Sequence, residues 1–220
     1  MDLIAGDTQG NVTLFLNVGT KEKPELAKGV RVEADGKPIS GERTTYKQVG
    51  KTLEVDKVVP GSSKLAQVYS KLHMADWDGD GLKDLLIGHD NTILFYKNAG
   101  TPSEPKLQAP TLINCPEGRF PTRPSPYVMD WDGDGTKDLL VGTEEPKVFF
   151  YRNIGTNQKP RLARGEALDL KVPARTDAGY RWRIDVTDWN NDGKMDILVG
   201  NFYSGSGSKA GGNIWLFLGK

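Results

Sequence analysis

A single cysteine, Cys115, and two histidines, His73 and His89, occur in the 220 residues. A lone thiol closes no intrachain disulfide, so any stapling of the fold must come from another source. No histidine or basic pair near Cys115 in the sequence points to an activated thiolate, and the residue reads as a small side chain in a connecting loop. The histidines lack metal-ligand spacing. No apolar run approaches the ~20 residues of a membrane span, which argues against membrane insertion. The N-terminus lacks the basic segment and apolar stretch of a secretion signal. No nucleophile elbow, phosphate-cradling glycine loop or histidine-rich site is present, so a noncatalytic protein is expected. The formal net charge is zero, and no nucleic-acid partner is expected.

What the chain does have is a nine-residue acidic pattern, three times over: DWDGDGLKD (Asp76 to Asp84), DWDGDGTKD (Asp130 to Asp138) and DWNNDGKMD (Asp188 to Asp196). Oxygen-bearing side chains at positions 1, 3, 5 and 9, with a backbone carbonyl at position 7, can surround one hard cation that takes six to eight oxygens, as Ca²⁺ does. The expected ligands are Asp76, Asp78, Asp80, Leu82 (carbonyl) and Asp84 in the first loop. In the second they are Asp130, Asp132, Asp134, Thr136 (carbonyl) and Asp138. In the third they are Asp188, Asn190, Asp192, Lys194 (carbonyl) and Asp196, giving three Ca²⁺ sites. Glycine at position 6 (Gly81, Gly135, Gly193) allows the sharp turn around the ion. Position 12, where an EF-hand needs a bidentate Glu, is Ile87, Val141 or Val199, and the chain runs apolar into a glycine (DLLIG, DLLVG, DILVG). That reads as a strand and not an exiting helix.

The repeat is longer than the loop. After each glycine come a turn, a second apolar strand and an Asn-x-Gly-Thr turn, as in TILFYKNAGT to Thr101 and KVFFYRNIGT to Thr156. MDLIAG with VTLFLNVGT is the same unit without its loop, so Asp2 stands where Asp84 stands. Third strands are expected after Pro24, Pro105 and Pro160, and fourth strands before the loops, at Tyr127 to Met129 and Ile184 to Thr187. The interval from Asp76 to Asp130 is 54 residues and from Asp130 to Asp188 it is 58, but from Asp2 to Asp84 it is 82. About one extra hairpin is therefore expected within Asp35 to Lys64, with turns at Asp35-Gly36 and Gly50-Lys51. Ser204 to Gly212 reads as a long hairpin loop. Units of ~40–60 residues with four strands each are the pattern of propeller blades. The fold expected is an all-β β-propeller of four-stranded antiparallel blades, one continuous array over 1–220 with units near 1–66, 67–120, 121–177 and 178–220.

The pattern DxDxDGxxDLhhG, followed by a strand ending YxNxGTxxxPxL, resembles the FG-GAP/VCBS repeats of calcium-binding β-propellers. These also occur in integrin α-subunit heads, fungal lectins and rhamnogalacturonan lyases. The resemblance implies calcium at the three loops, each joining the two innermost strands of a blade. It implies an extracellular, cell-surface or periplasmic setting and a binding module for carbohydrate or an extracellular protein. A segment of a polysaccharide-degrading enzyme and a self-assembling structural unit are the alternatives. Family rings usually have about seven or eight blades; four units, the first without its innermost strand and the last without its outermost, imply a homo-oligomer that completes the ring.

Eleven of the 29 acidic residues belong to the loops, so the rest of the protein carries a basic excess. Between Lys159 and Arg183 this excess concentrates, with aromatics interleaved. Arg175, Tyr180, Arg181, Trp182 and Arg183 are the candidate surface for an anionic glycan or acidic partner; the alternative is ordinary surface charge with Trp182 packed inside. Trp77, Trp131 and Trp189, at loop position 2, are expected in the core.

Overall fold

The computed structural model of the chain describes residues 2–40, 43–49, 52–59, 70–172, 178–203 and 211–220. Strands β1 (Leu3–Gly6), β2 (Val12–Phe15) and β3 (Val30–Arg31) form a first sheet. Two hairpins follow: β4 (Glu33–Ala34) with β5 (Lys37–Pro38), and β6 (Arg43–Val49) with β7 (Thr52–Val59). The second sheet contains β8 (Lys71–Ala75), β9 (Asp84–His89), β10 (Thr92–Tyr96) and β11 (Thr111–Leu112). The third contains β12 (Ser125–Met129), β13 (Asp138–Gly142), β14 (Val148–Tyr151) and β15 (Glu166–Ala167). The fourth contains β16 (Tyr180–Thr187), β17 (Asp196–Phe202) and β18 (Ile214–Phe217). All the described elements are strands, and no helix is long and apolar enough to cross a membrane.

The two middle sheets have the four strands the repeat predicts, in chain order across the sheet. Among the described residues, the first sheet has no strand before β1 and the last has none beyond β18. In β9 and β13 every residue is buried. A strand covered on both faces needs apolar side chains on both, which is why DLLIG and DLLVG run apolar without alternating.

The insertion after β3 is two hairpins where the sequence suggested about one. Asp35 and Gly36 form the first turn with φ of 51° and 70°. Two successive left-handed residues are what a tight hairpin of this twist needs, and Asp-Gly supplies them cheaply. The second hairpin pairs Arg43 with Val59 through to Val49 with Thr52, with a bulge between Thr45 and Tyr46. The expected turn at Gly50-Lys51, the end of the insertion near Lys64, and residues 204–210 of the glycine-rich loop lie outside the described residues.

Two compact units divide the chain. The first comprises Met1–Asp76, Gly81–His89 and Ile93–Ile113; its core joins Val12, Leu85, Ile87, Leu94 and Tyr96 with Ala34 and Ile39 of the β4–β5 hairpin. The second comprises Trp77–Asp80, Asp90–Thr92 and Asn114–Lys220, with a core of Leu140, Val148, Phe150, Trp182, Val186, Ile197 and Val199.

Within each unit the glycine that ends the second strand of a repeat has a packing reason. A Cβ on Gly6 would lie 2.2 Å from the Ser70 carbonyl oxygen, and one on Gly142 would lie 2.4 Å from that of Trp182. Alongside, the Ser70 N–H donates to the Asp7 carbonyl at 3.1 Å and the Trp182 N–H donates to the Thr143 carbonyl at 2.8 Å. The backbone opening the next sheet is thus stitched to the previous one where no side chain intervenes.

Candidate metal centre

The loops are held from below by the carboxylate at position 9. Asp84, Asp138 and Asp196 open β9, β13 and β17 and are 0% exposed. Each accepts a backbone N–H two strands' width of chain later: Asp84 from Asn98 at 2.8 Å, Asp138 from Asn153 at 2.7 Å, Asp196 from Gly219 at 2.8 Å. Asp2 accepts the N–H of Asn17 at 2.8 Å in the unit that lacks a loop. A buried carboxylate needs such donors, so this aspartate has a structural task besides any metal, which the loop pattern alone did not reveal. Its second oxygen turns back to the loop: Asp138 Oδ2 accepts the Trp131 N–H at 3.0 Å, and Asp196 Oδ2 accepts that of Trp189 at 2.8 Å.

Position 1 shapes the turn. Asp130 accepts the N–H groups of Gly133, Asp134 and Gly135 at 2.8, 3.1 and 2.9 Å. Asp188 likewise accepts those of Asp192 and Gly193, at 3.1 and 2.9 Å, and Asp76 accepts that of Gly81 at 3.2 Å. Position 6 glycines have φ of 90°, 88° and 85°, as expected. Position 4 is left-handed too: Gly79 at 71°, Gly133 at 76° and Asn191 at 58°. Its restriction to Gly or Asn was visible in the sequence and has this cause.

In the first loop, ligand atoms of Asp76, Asp78 and Asp84 come within 4.8 Å of one another, and in the second those of Asp130, Asp132 and Asp138 do. Three acidic groups converge on one spot from positions 1, 3 and 9 although like charges repel, and an oxygen-seeking divalent cation relieves that repulsion. The donor set is all oxygen, which fits Ca²⁺ and not a thiolate- or imidazole-seeking metal. Position 5 stands apart. Asp134 Oδ1 accepts the Thr136 hydroxyl at 2.6 Å and N–H at 2.8 Å, and those bonds hold its carboxyl below the usual range. Burial raises the Asp138 carboxyl, with Asp132 and Asp134 repulsion in the same direction and the Asn153 and Trp131 N–H groups opposing.

Two residues outside the motif complete the second loop. Asn157 accepts the Lys137 N–H at 2.7 Å and donates to the Gly135 carbonyl at 3.1 Å. Arg152 Nη2 lies 2.8 Å from Asp132 Oδ2. Neither falls in the repeated pattern, so spacing could not find them.

The third loop keeps the backbone of the second but gathers no acidic triad. Asn190 at position 3 accepts the Asp192 N–H at 3.1 Å while its amide donates to Asp192 Oδ2 at 3.1 Å. The Lys194 N–H and the Asn190 amide hold the Asp192 carboxyl below the usual range.

A sequence profile described as an FG-GAP-like repeat matches residues 76–141 and 130–199, together more than half of the chain. The chain belongs to the FG-GAP-like repeat family. Each matched stretch of this FG-GAP-like protein runs from one acidic loop into the next, so loop and sheet form one unit. A solved structure, the Tc holotoxin pore of Photorhabdus luminescens, is similar over 99% of this chain at 16% identity and a TM-score of 0.37. The chain spans 11% of the length of that protein. No curated protein matches.

The candidate ligand surface changes on folding. Arg175 lies outside the described residues. Trp182 is 1% exposed, its Nε1–H donates to the Ala178 carbonyl at 2.9 Å, and its ring lies 5.8 Å from that of Phe217, so it is core and not a stacking platform. Arg181, at φ 59°, places Nε 3.5 Å from Glu144 Oε1 and its guanidinium 5.2 Å over Phe202. Arg183 is half-buried and reaches back to the Trp182 carbonyl at 3.4 Å, while Tyr180 is exposed. The four described members, Tyr180, Arg181, Trp182 and Arg183, therefore do not form one basic, aromatic face. Trp77 is buried and Trp131 packs against the second core, as expected of position 2, but Trp189 is 60% exposed. Trp131 packs among residues of β16–β18, such as Val186, Ile197 and Phe217. Cys115 donates to Glu117 Oε2 at 3.2 Å, and burial pushes its thiol up to about 12, which suits the inert reading.

Proposed function

We propose that this chain is a noncatalytic, calcium-stabilised β-propeller-type binding module whose ligand is a carbohydrate. The observation that carries the calcium reading is the pair of acidic triads, Asp76/Asp78/Asp84 and Asp130/Asp132/Asp138. Asp80, Asp134 and the carbonyls of Leu82 and Thr136 would complete their shells, and Asp188, Asn190, Asp192, Asp196 and the Lys194 carbonyl would hold a third ion. Bound calcium would neutralise the converging carboxylates and tie each loop to the strand that Asp84, Asp138 or Asp196 opens. The setting we propose is extracellular, cell-surface or periplasmic, as the family resemblance implies. The carbohydrate reading rests on the lectins that share the repeat. Calcium titration calorimetry and a glycan array with calcium present test the two parts: heat of binding and a sugar signal are expected. A blank array that leaves calcium binding intact would turn the reading towards a protein ligand.

A second reading, self-association, is favoured by the open face of the last sheet. Val12, Ile93 and Val148 hold one position of the repeat, five residues before the Asn-x-Gly turn, and are 0% exposed; Ile214 holds it in β18 and is 80% exposed. Among the described residues, Gly200, the counterpart of Gly6 and Gly142, has nothing within 4 Å of its Cβ position. We propose a second copy of the chain as the occupant, docking as one sheet docks on another at Gly6 and Gly142. Light scattering at tens of micromolar should give a dimer or larger assembly that Gly200→Val breaks; a monomer at that concentration overturns it.

A further inference from the structure

We propose that the β4–β5 insertion builds a sugar-binding pocket in the first unit, distinct from the acidic loops, that accepts a single pyranose-sized ring of a glycan. It rests on the carbohydrate reading above and deepens it. The hairpin carries Ala34 and Ile39 into the core of the second sheet, and its turn is pinned there: the Asp35 N–H donates to the Leu107 carbonyl at 2.9 Å, and Ala34 bridges Leu107 in parallel. Between hairpin and sheet remains an open cavity of about 180 Å³. That is below the ~300 Å³ at which pockets begin to hold drug-sized molecules, and so limits the ligand to about one ring.

The chemistry of the walls selects the ligand class. The floor is apolar, from Ile87 of β9, Leu94 of β10 and Ile39 of the hairpin, as the C–H face of a sugar ring requires. Among the walls, the phenol of Tyr96 and the hydroxyls of Ser40 and Ser70 both donate and accept, while the two ring nitrogens of His89 are buried and offer no accessible surface to the cavity. A hydroxyl-rich ligand, each of whose groups is donor and acceptor at once, matches that set better than a cation or a phosphate does. Asp35 and Lys37 add one charge of each sign at the exposed rim. His89 and Tyr96 are 4% and 6% exposed, so both are fixed by the fold. His89 also departs from its counterparts in the other sheets, Asp7, Thr143 and Asn201. In repeat arrays an insertion in one unit commonly marks the binding face, and this insertion supplies one wall of the pocket.

The test uses the full chain with calcium present and a panel of neutral, N-acetylated and uronic-acid monosaccharides, read by amide shifts and calorimetry. At least one sugar should shift the amides of Ser40, His89 and Tyr96. Ser40→Trp, at the exposed rim, should plug the cavity and weaken binding by about tenfold or more with an unchanged melting temperature. Shifts only outside the pocket, no shift with any sugar, or unchanged affinity in Ser40→Trp each overturn the pocket. A calcium-dependent melt in the same samples judges the calcium reading separately, so failure of one is told apart from failure of the other.

Discussion

The third and fourth sheets are built from the same repeat and differ in what covers them. Val148 and Phe150 on β14 are 0% and 9% exposed, while their counterparts Ile214 and Leu216 on β18 are 80% and 39% exposed. Gly142 abuts the Trp182 backbone, while among the described residues nothing lies within 4 Å of a Cβ on Gly200. The second loop brings three acidic groups together, with Arg152 against one of them; the third has Asn190 for Asp132 and Leu218 for Arg152. A repeat motif thus fixes the backbone of a unit, and the next unit along decides whether its face is core or surface.

The sharpest way to break this comparison is at the paired glycines. Gly142→Ala should destabilise the protein by about 3 kcal/mol, since a rigid backbone carbonyl meets the new methyl group. Gly200→Ala should change stability by less than ~0.5 kcal/mol at concentrations low enough to keep the chain monomeric. Urea unfolding of the two variants gives the values, and equal losses would mean that the open and covered glycines are not different after all.

Calcium removal comes next. At tenfold over Kd each site adds ~1.4 kcal/mol by mass action, or a few degrees in Tm for a chain of this size. EDTA dialysis should therefore lower Tm, and most of the drop should vanish in the Asp130→Asn, Asp76→Asn double variant. An unchanged melt after EDTA would count against the metal sites.

Asn190→Asp restores the third loop to the pattern of the second, and should tighten its calcium by about tenfold through the added charge. Calorimetry showing three identical sites in the parent chain would contradict the ranking.

Acidification should weaken the second site in particular. Because burial raises the folded-state pKa of Asp138, the contribution of this group to stability in metal-free protein is fully present below its unfolded pKa of ~3.9 and is lost as pH rises through the folded value. Calcium needs the ionised form. The Tm gain on adding calcium should therefore shrink as pH falls towards that window, and a gain independent of pH would oppose it.

The smallest effect expected is at Arg152. Its guanidinium competes with a cation for Asp132, so Arg152→Leu, which copies the fourth sheet, should tighten calcium at the second loop by a few-fold. Looser binding would show that Arg152 instead holds Asp132 in place for the ion.

Much of the candidate site was legible because its determinants are local. Oxygen ligands at fixed spacing and glycine at a left-handed position leave a direct mark in the sequence, and the loops, the strand after each loop and the Asn-x-Gly turn all lie where that mark puts them. The stepwise repeat likewise gave four strands in the middle sheets. The burial of Trp182 was one of the two readings that its stretch offered, whereas Asn157, Arg152 and the exposure of Trp189 were not legible, since each depends on a residue or sheet distant in sequence. The same holds for the cavity beside His89, whose wall comes from an insertion outside the repeat.

By itself, then, the sequence determined the family, the acidic loops and the strand order, because hydrogen-bond geometry within a nine-residue turn and the apolar pattern of a buried strand act over short range. Tertiary structure alone decided which copies of equal positions are covered, which loops gather a triad and which basic residues are already paired. Burial and electrostatics depend on neighbours in space, and no count along the chain contains them.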